Sequence, residues 1–361
     1  MIPNKPMLKR NYKSILMPKG AMQLRNEENV LMLKGATVAD IIEKMLPLLD
    51  GNNTIDDIMQ SFTEYSRDTI VSVIEMLQNH YVIEDGDEIN QIDLSKDIVA
   101  AYSDQINYLS LFSERIVDNN IRISKYDIFK SIYQKTCFVI GSGKVATAMV
   151  RELASNGIGK IILCCKEDFF SSISAILSQC FKQIKLEKRE FDEINENSGI
   201  DMVILAEDII TDAQSRKVNK RCIDNNIPWM SLNIGETRFE VGPLVVPHET
   251  ACYSCYMNRL NGNSTHFEEE TSFRNYKNLE TNSISIFAYD TMIRVAAGIA
   301  AWEIIKYLSK IFSCVTTGRV IHFNILSLEM KSHTILKMPK CKVCSKVETL
   351  PFSEPYAVYL P

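Results

Sequence analysis

The chain has 361 residues, 46% of them hydrophobic and 24% charged, a balance that excludes disordered and fibrous classes and is enough for two or three domains. Lys and Arg number 40 against 45 Asp and Glu, a net charge of −5 with no basic surplus for a phosphate backbone, so nucleic acid is not an expected partner. The first ten residues lack an apolar signal region, and the most apolar stretch, 293–311, is interrupted by Arg294, Glu303 and Lys306; a cytoplasmic protein with no membrane span is therefore expected, its ten cysteines reduced.

Residues 1–35 carry a charge of +5 and residues 36–90 one of −10, which marks the first quarter as a unit of its own. Short apolar runs at 14–17, 22–25 and 30–33, separated by Pro18-Lys19-Gly20 and by Asn26-Glu27-Glu28-Asn29, predict three strands joined by turns. Thr37 to Asp40 reads as the cap of a helix carrying Ile41, Ile42, Met45 and Leu49, and Thr54-Ile-Asp-Asp57 caps a second. Ser66 opens a third, with Ile70, Val73, Ile74 and Leu77 on one face, and 81–83 returns as an extended segment. Three strands followed by three helices predict a small winged-helix-like module over 1–90. Its third helix carries only Arg67 among basic residues near Glu75, which argues against a DNA-reading role.

Residues 91–135 contain neither glycine nor proline and read as connecting helices. From 137 the texture changes: an apolar strand, then Gly141-Ser-Gly143-Lys-Val-Ala146, then a helix to about 155 and a strand at 160–164. This is the opening of a doubly wound α/β sheet over 136–361. Further strands are expected at 202–205, 229–233 and 319–323, with a long helix over about 286–311. The position where a dinucleotide site places its ribose-binding carboxylate holds Cys164-Cys165-Lys166 instead.

Two Cys-x-x-Cys pairs, Cys252/Cys255 and Cys341/Cys344, predict a closed tetrahedral zinc site, structural because four thiolates leave no position for substrate. The other six cysteines, Cys137, Cys164, Cys165, Cys180, Cys222 and Cys314, read as small hydrophobes.

With Ala206-Glu-Asp208, Arg216, Asn219, Cys222, Gly242-Pro243 and Pro247 to Cys252 leading into the first pair, and Met338-Pro-Lys-Cys341 forming the second, residues 130–346 resemble the ThiF-like, ubiquitin-activating-enzyme-like adenylation fold. Active members carry an Asn-Leu-x-Arg-Gln signature after the second strand, and 165–183 lacks it. The resemblance therefore implies a degenerate adenylation site, with ATP and magnesium not expected. Asp50 to Ile58 and Leu77 to Ile83 are similar to the PqqD-like element that binds leader peptides of ribosomally made, modified peptides.

Together these parts resemble the ocin-ThiF-like partners of YcaO cyclodehydratases. That resemblance implies a noncatalytic subunit that binds a precursor leader peptide and presents its core for azoline formation, working with the YcaO enzyme and an azoline dehydrogenase. It also implies a homodimer. The expected peptide site is the edge strand Val30, Leu31, Met32 and Leu33 with Lys34, facing Thr69, Val73 and Met76 of the third helix. The alternative is an active adenylyltransferase on a peptide carboxylate, using Gly141, Gly143 and Asp208. The apolar tail at 352–361 is a further candidate docking segment.

Overall fold

A computed structural model describes residues 2–18, 20–88, 92–112, 124–279 and 288–345. The tail at 352–361 and part of the 91–135 connector fall outside the described residues. The chain divides into two compact units, Met1–Lys130 and Ser131–Pro361.

In the first unit, β1 (Pro6–Leu8) precedes three strands, β2 (Lys13–Met17), β3 (Ala21–Arg25) and β4 (Val30–Leu33). The last three form an antiparallel sheet in the order β2-β3-β4, with Arg25 opposite Val30 and Leu24 opposite Leu31. Met22, Leu24 and Leu33 point into the core, as the period-two pattern requires. Helices α1 (Ala36–Met45), α2 (Ile55–Gln60) and α3 (Arg67–Asn79) follow, then β5 (Ile83–Asp85), α4 (Lys96–Ala101), α5 (Ser103–Leu109) and α6 (Lys125–Tyr133).

The Thr54 capping box forms with Asp57, and Ser66 caps α3 through the Thr69 amide, each worth about 1 kcal/mol. Thr37 is not a cap. Gly35, at φ 112°, turns the chain straight from β4 into α1, which starts one residue before Thr37 and has no side-chain cap. Tyr81 adopts φ 60° and ends α3, so the returning strand begins at Ile83, where it pairs with β1. Ile41, Ile42, Met45, Ile58, Ile70, Ile74 and Leu77 close a single core, each contributing roughly 1.5–3 kcal/mol of burial. Glu84 of β5 and Lys125 of α6 form a buried ion pair at 2.5 Å.

The second unit is built on an eight-stranded sheet. Its strands are β6 (Thr136–Ile140), β7 (Lys160–Cys164), β8 (Lys185–Lys188), β9 (Met202–Leu205), β10 (Trp229–Ile234), β11 (Arg238–Val241), β12 (Arg319–Asn324) and β13 (Glu329–Thr334), in the order β13-β12-β11-β10-β9-β6-β7-β8. Strands β8, β7, β6, β9 and β10 run parallel, and β11, β12 and β13 extend the sheet antiparallel. The helices are α7 (Lys144–Ser155), α8 (Glu167–Cys180), α9 (Asp212–Asp224), α10 (Tyr253–Asn263), α11 (Phe267–Leu279) and α12 (Asp290–Ser309). Ala296, Ala297, Ala300 and Ala301 are buried on α12, which packs along α7. Strand order reverses at β6, between β7 and β9, so the crevice at the carboxyl ends of β6 and β9 is where such a sheet offers a ligand site. Among the described residues no helix is long and apolar enough to cross a membrane.

Candidate functional site

Three places bear on function: the free edge of β4, the glycine turn after β6, and the cysteine pairs.

Strand β4 pairs only with β3 among the described residues. Asn26 donates its amide to the Asn29 carbonyl at 3.0 Å, closing the hairpin with a hydrogen-bonded pair. The alternation of an antiparallel ladder then turns the backbone N–H and C=O of Val30 and Met32 away from β3, toward the open edge. Their side chains are 51% and 40% exposed. Leu31 is half-buried, Lys34 and Thr69 are exposed, and Met76 lies at the margin of the core. Leu33 and Val73 are buried, 4% and 8% exposed, and pack in the core of the first unit. Helical spacing identifies one apolar face of α3 but does not separate its core side from its rim.

At the glycine turn, α7 starts immediately after Gly143, so the amides of its first turn lack partners within the helix, an arrangement that ordinarily receives a phosphate. Here the protein fills it. Ser142 donates its amide to Glu207 Oε2, and Val145 donates to Asp208 Oδ1, both at 2.9 Å. The glycines permit this closeness: a Cβ on Gly141 would lie 2.3 Å from the Ala206 carbonyl oxygen, and one on Gly143 would lie 2.4 Å from Asp208 Oδ2.

Burial pushes the Glu207 carboxyl above its usual range, opposed by the Ser142 amide. Burial also raises the Cys164 thiol to about 11, with the nearby Glu190 charge adding to it, which leaves it protonated and a poor nucleophile at neutral pH. The first turn of α8 presents Glu167 and Asp168, and Glu167 is held by Lys188 at 2.5 Å. A triphosphate would meet occupied amides and carboxylates where it needs free donors and cations.

The cysteines of the two pairs come together. Cys252 stands just before α10 and Cys255 in its first turn, while Cys341 and Cys344 lie in the loop after β13. All four are buried, and their sulfurs lie within 4.8 Å of one another. The Sγ separations are 3.9 Å for Cys252–Cys255, 3.7 Å for Cys252–Cys341 and 3.6 Å for Cys255–Cys344. Thiolates at about 2.3 Å from a tetrahedral zinc ion are about 3.8 Å apart, so the donor set fits such an ion.

Met338 donates its amide to Cys255 Sγ at 3.4 Å. The Cys252 thiol hydrogen bond, offset in part by burial, lowers the Cys255 thiol to about 4, while burial raises Cys344 to about 11. Tyr253 donates its amide to Asn219 of α9 at 3.0 Å, anchoring the start of α10. The cluster sits inside the core with Trp229, Val245, Val320 and Ile335, so a metal ion such as zinc held there ties the 335–345 loop to the sheet. Of the other cysteines, Cys137 and Cys222 are buried as expected, whereas Cys180 is exposed at the end of α8.

Residues 171–344 match the ThiF family. That match begins within α8, after the glycine turn. Over 94% of this chain and 99% of the other, the fold matches E. coli MccB solved with ATP, with a TM-score of 0.62 and 15% identity. It matches the microcin C7 biosynthetic enzyme MccB in complex with N-formylated MccA over the same shares, with a TM-score of 0.64 and 16% identity. The heterocyclase TruD matches over 95% of this chain and 43% of its own, with a TM-score of 0.61 and 18% identity. No curated protein sequence matches the chain. The fold is ThiF-like.

Proposed function

We propose that this chain recognises the leader of a ribosomally made precursor peptide and presents the core to a YcaO-type cyclodehydratase for azoline formation, with no chemistry of its own. The observation that carries this reading is the open edge of β4, where Val30 and Met32 offer backbone donors and acceptors and exposed apolar side chains. An extended leader adds there as a fourth strand, its main chain supplying affinity and its alternate side chains specificity. Residues 1–90 form the recognition module, with Lys34, Thr69 and Met76 flanking the added strand and the Leu31 and Leu33 backbone holding the edge in register.

Tethering the leader raises the effective concentration of the core at a partner's active site to the order of mM. That makes a catalytic group here unnecessary. The carboxylates seated on the Ser142 and Val145 amides support a scaffold role, since they take the donors that ATP would need. Zinc bound by Cys252, Cys255, Cys341 and Cys344 is structural. An azoline dehydrogenase and a second copy of the chain complete the expected assembly.

The test is reconstitution. Mixing the chain with a YcaO-type cyclodehydratase and a candidate precursor peptide should give ATP-dependent loss of one water per ring, and removing the chain should slow that loss at low peptide concentration. Cyclisation equally fast without the chain contradicts the proposal.

The fold shared with MccB favours a second reading, adenylation of a peptide carboxylate. It predicts exchange of pyrophosphate into ATP that Asp208→Ala abolishes; the scaffold reading predicts none.

A further inference from the structure

The three antiparallel strands at one end of the large sheet gather a second set of metal-binding side chains, apart from the cysteines. Register sets Glu240 of β11 directly opposite His322 of β12, and His333 of β13 opposite Val320, one diagonal step from His322. The two-residue period of a strand then puts Glu240, His322 and His333 on one face of the sheet, within reach of one another.

His322 Nε2 lies 3.6 Å from Glu240 Oε1, too far for a hydrogen bond. That nitrogen is buried and has no hydrogen-bond partner, an orphan of the kind that a bound ion accounts for. The His322 and His333 rings have centroids 4.9 Å apart. Two donors at about 2.1 Å from a tetrahedral zinc ion stand about 3.4 Å apart, and two imidazoles on such an ion have centroids about 5 Å apart. Both separations suit a shared ion. Among the described residues only the cysteine quartet already holds three donor atoms within 4.8 Å of one another, so binding here requires the exposed His333 ring to turn about its side-chain bonds.

Burial holds the His322 imidazole below its ordinary value, against the pull of Glu240, which keeps it in the neutral form that ligates. Burial and the Glu240 charge both raise the Tyr256 hydroxyl, which places α10 beside the cluster. Two cations share the face, Arg238 and Lys331, and Lys331 is held by Glu329 at 3.0 Å.

We propose that Glu240, His322 and His333 bind a divalent transition-metal ion, zinc by its fit to imidazole and carboxylate, as a clasp that ties the edge strand β13 to β11. Three protein ligands leave the fourth position to water, in contrast to the closed cysteine set. Strand β13 is exposed along its whole length, so side-chain burial does little to hold it, and the ion supplies a tie across both ladders.

The test is metal content of the full chain after equilibrium dialysis against free zinc. Two equivalents per chain are expected, one of them held by the cysteines. His333→Ala and Glu240→Gln should each weaken the second equivalent at least about tenfold and leave the first in place. Because His333 is exposed on an edge strand, its truncation spares the fold, and retention of the first equivalent reports that. Cobalt(II) added to chain that already carries one zinc should show weak visible bands without the thiolate-to-metal charge transfer of a cysteine site, and His333→Ala should remove them. Excess zinc should also raise the melting temperature of the wild-type chain and not that of His333→Ala. A single equivalent in the wild-type chain overturns the inference, as does a second equivalent that either variant holds as tightly.

Discussion

The edge of β4 and the glycine turn after β6 are both places where backbone groups lack partners within their own element. At β4 the outward groups of Val30 and Met32 have no strand beside them among the described residues, and apolar side chains flank them. At the glycine turn the Ser142 and Val145 amides are taken by Glu207 and Asp208. The first set of groups faces an open edge, and the second is paired with carboxylates of the same unit. A glycine-rich turn in a sequence thus marks a backbone shape, and only its contacts say whether a ligand can use it.

The largest expected effect separates the two units. Cys341→Ser with Cys344→Ser should abolish zinc binding by the cysteines and cost the second unit at least ~3 kcal/mol, since structural zinc sites in small domains carry about 10–16 kcal/mol of binding free energy. Metal analysis and thermal melts check this, and peptide affinity should change less than about twofold because the first unit has its own core. Loss of peptide binding together with zinc would break the separation.

The counterpart in the first unit is Lys125→Ala, which strands the buried Glu84 carboxylate and should cost about 3–5 kcal/mol. Denaturant melts followed alongside peptide binding should show the two declining together. Lys125→Met with Glu84→Leu should recover most of the loss.

Asp208→Ala acts on the occupied turn and should cost about 1 kcal/mol as a lost carboxylate at the start of α7. Equilibrium denaturation measures it, and peptide affinity should stay level.

The smallest effect is a pH slope. Although burial raises the Glu303 carboxyl, hydrogen bonds from Lys306, Cys314 and Thr316 outweigh it and hold the group below its ordinary value of 4.5. A depressed folded pKa gives stability that is present above the unfolded value and is lost as pH falls through the folded one. Acid melts should therefore steepen below pH 4.5, and Glu303→Gln should flatten that limb.

Much of this was legible in the residues. Three short apolar runs marked β2, β3 and β4 to within a residue, because turn chemistry separated them cleanly. The strand before Gly141 and the 160–164 strand were as plain, their apolar stretches long and β-branched. The two Cys-x-x-Cys pairs announced a cluster 85 residues apart in sequence. Less visible were β11, whose alternation of Phe239 and Val241 with charged residues spans only four positions, β13, exposed along its whole length with no apolar period, and β1, a three-residue strand defined only by its long-range partner β5.

The burial of Leu33 and Val73 is not legible in the residues, because sequence shows which face is apolar and not what covers it. The role of Glu207 was missed for a related reason. It lies beyond the end of β9, after Ala206, and only the parallel pairing of β9 with β6 puts it beside Ser142.

The most direct test of the central claim is the affinity of a precursor leader peptide for the wild-type chain and for Met32→Pro, each with and without ATP and magnesium. Met32 turns its N–H outward, so proline there removes a donor the ladder does not use and the fold should survive. The account predicts saturable wild-type binding indifferent to nucleotide, and at least about tenfold weaker binding by Met32→Pro at an unchanged melting temperature. Equal binding by the two proteins, or wild-type binding that requires ATP, would contradict it.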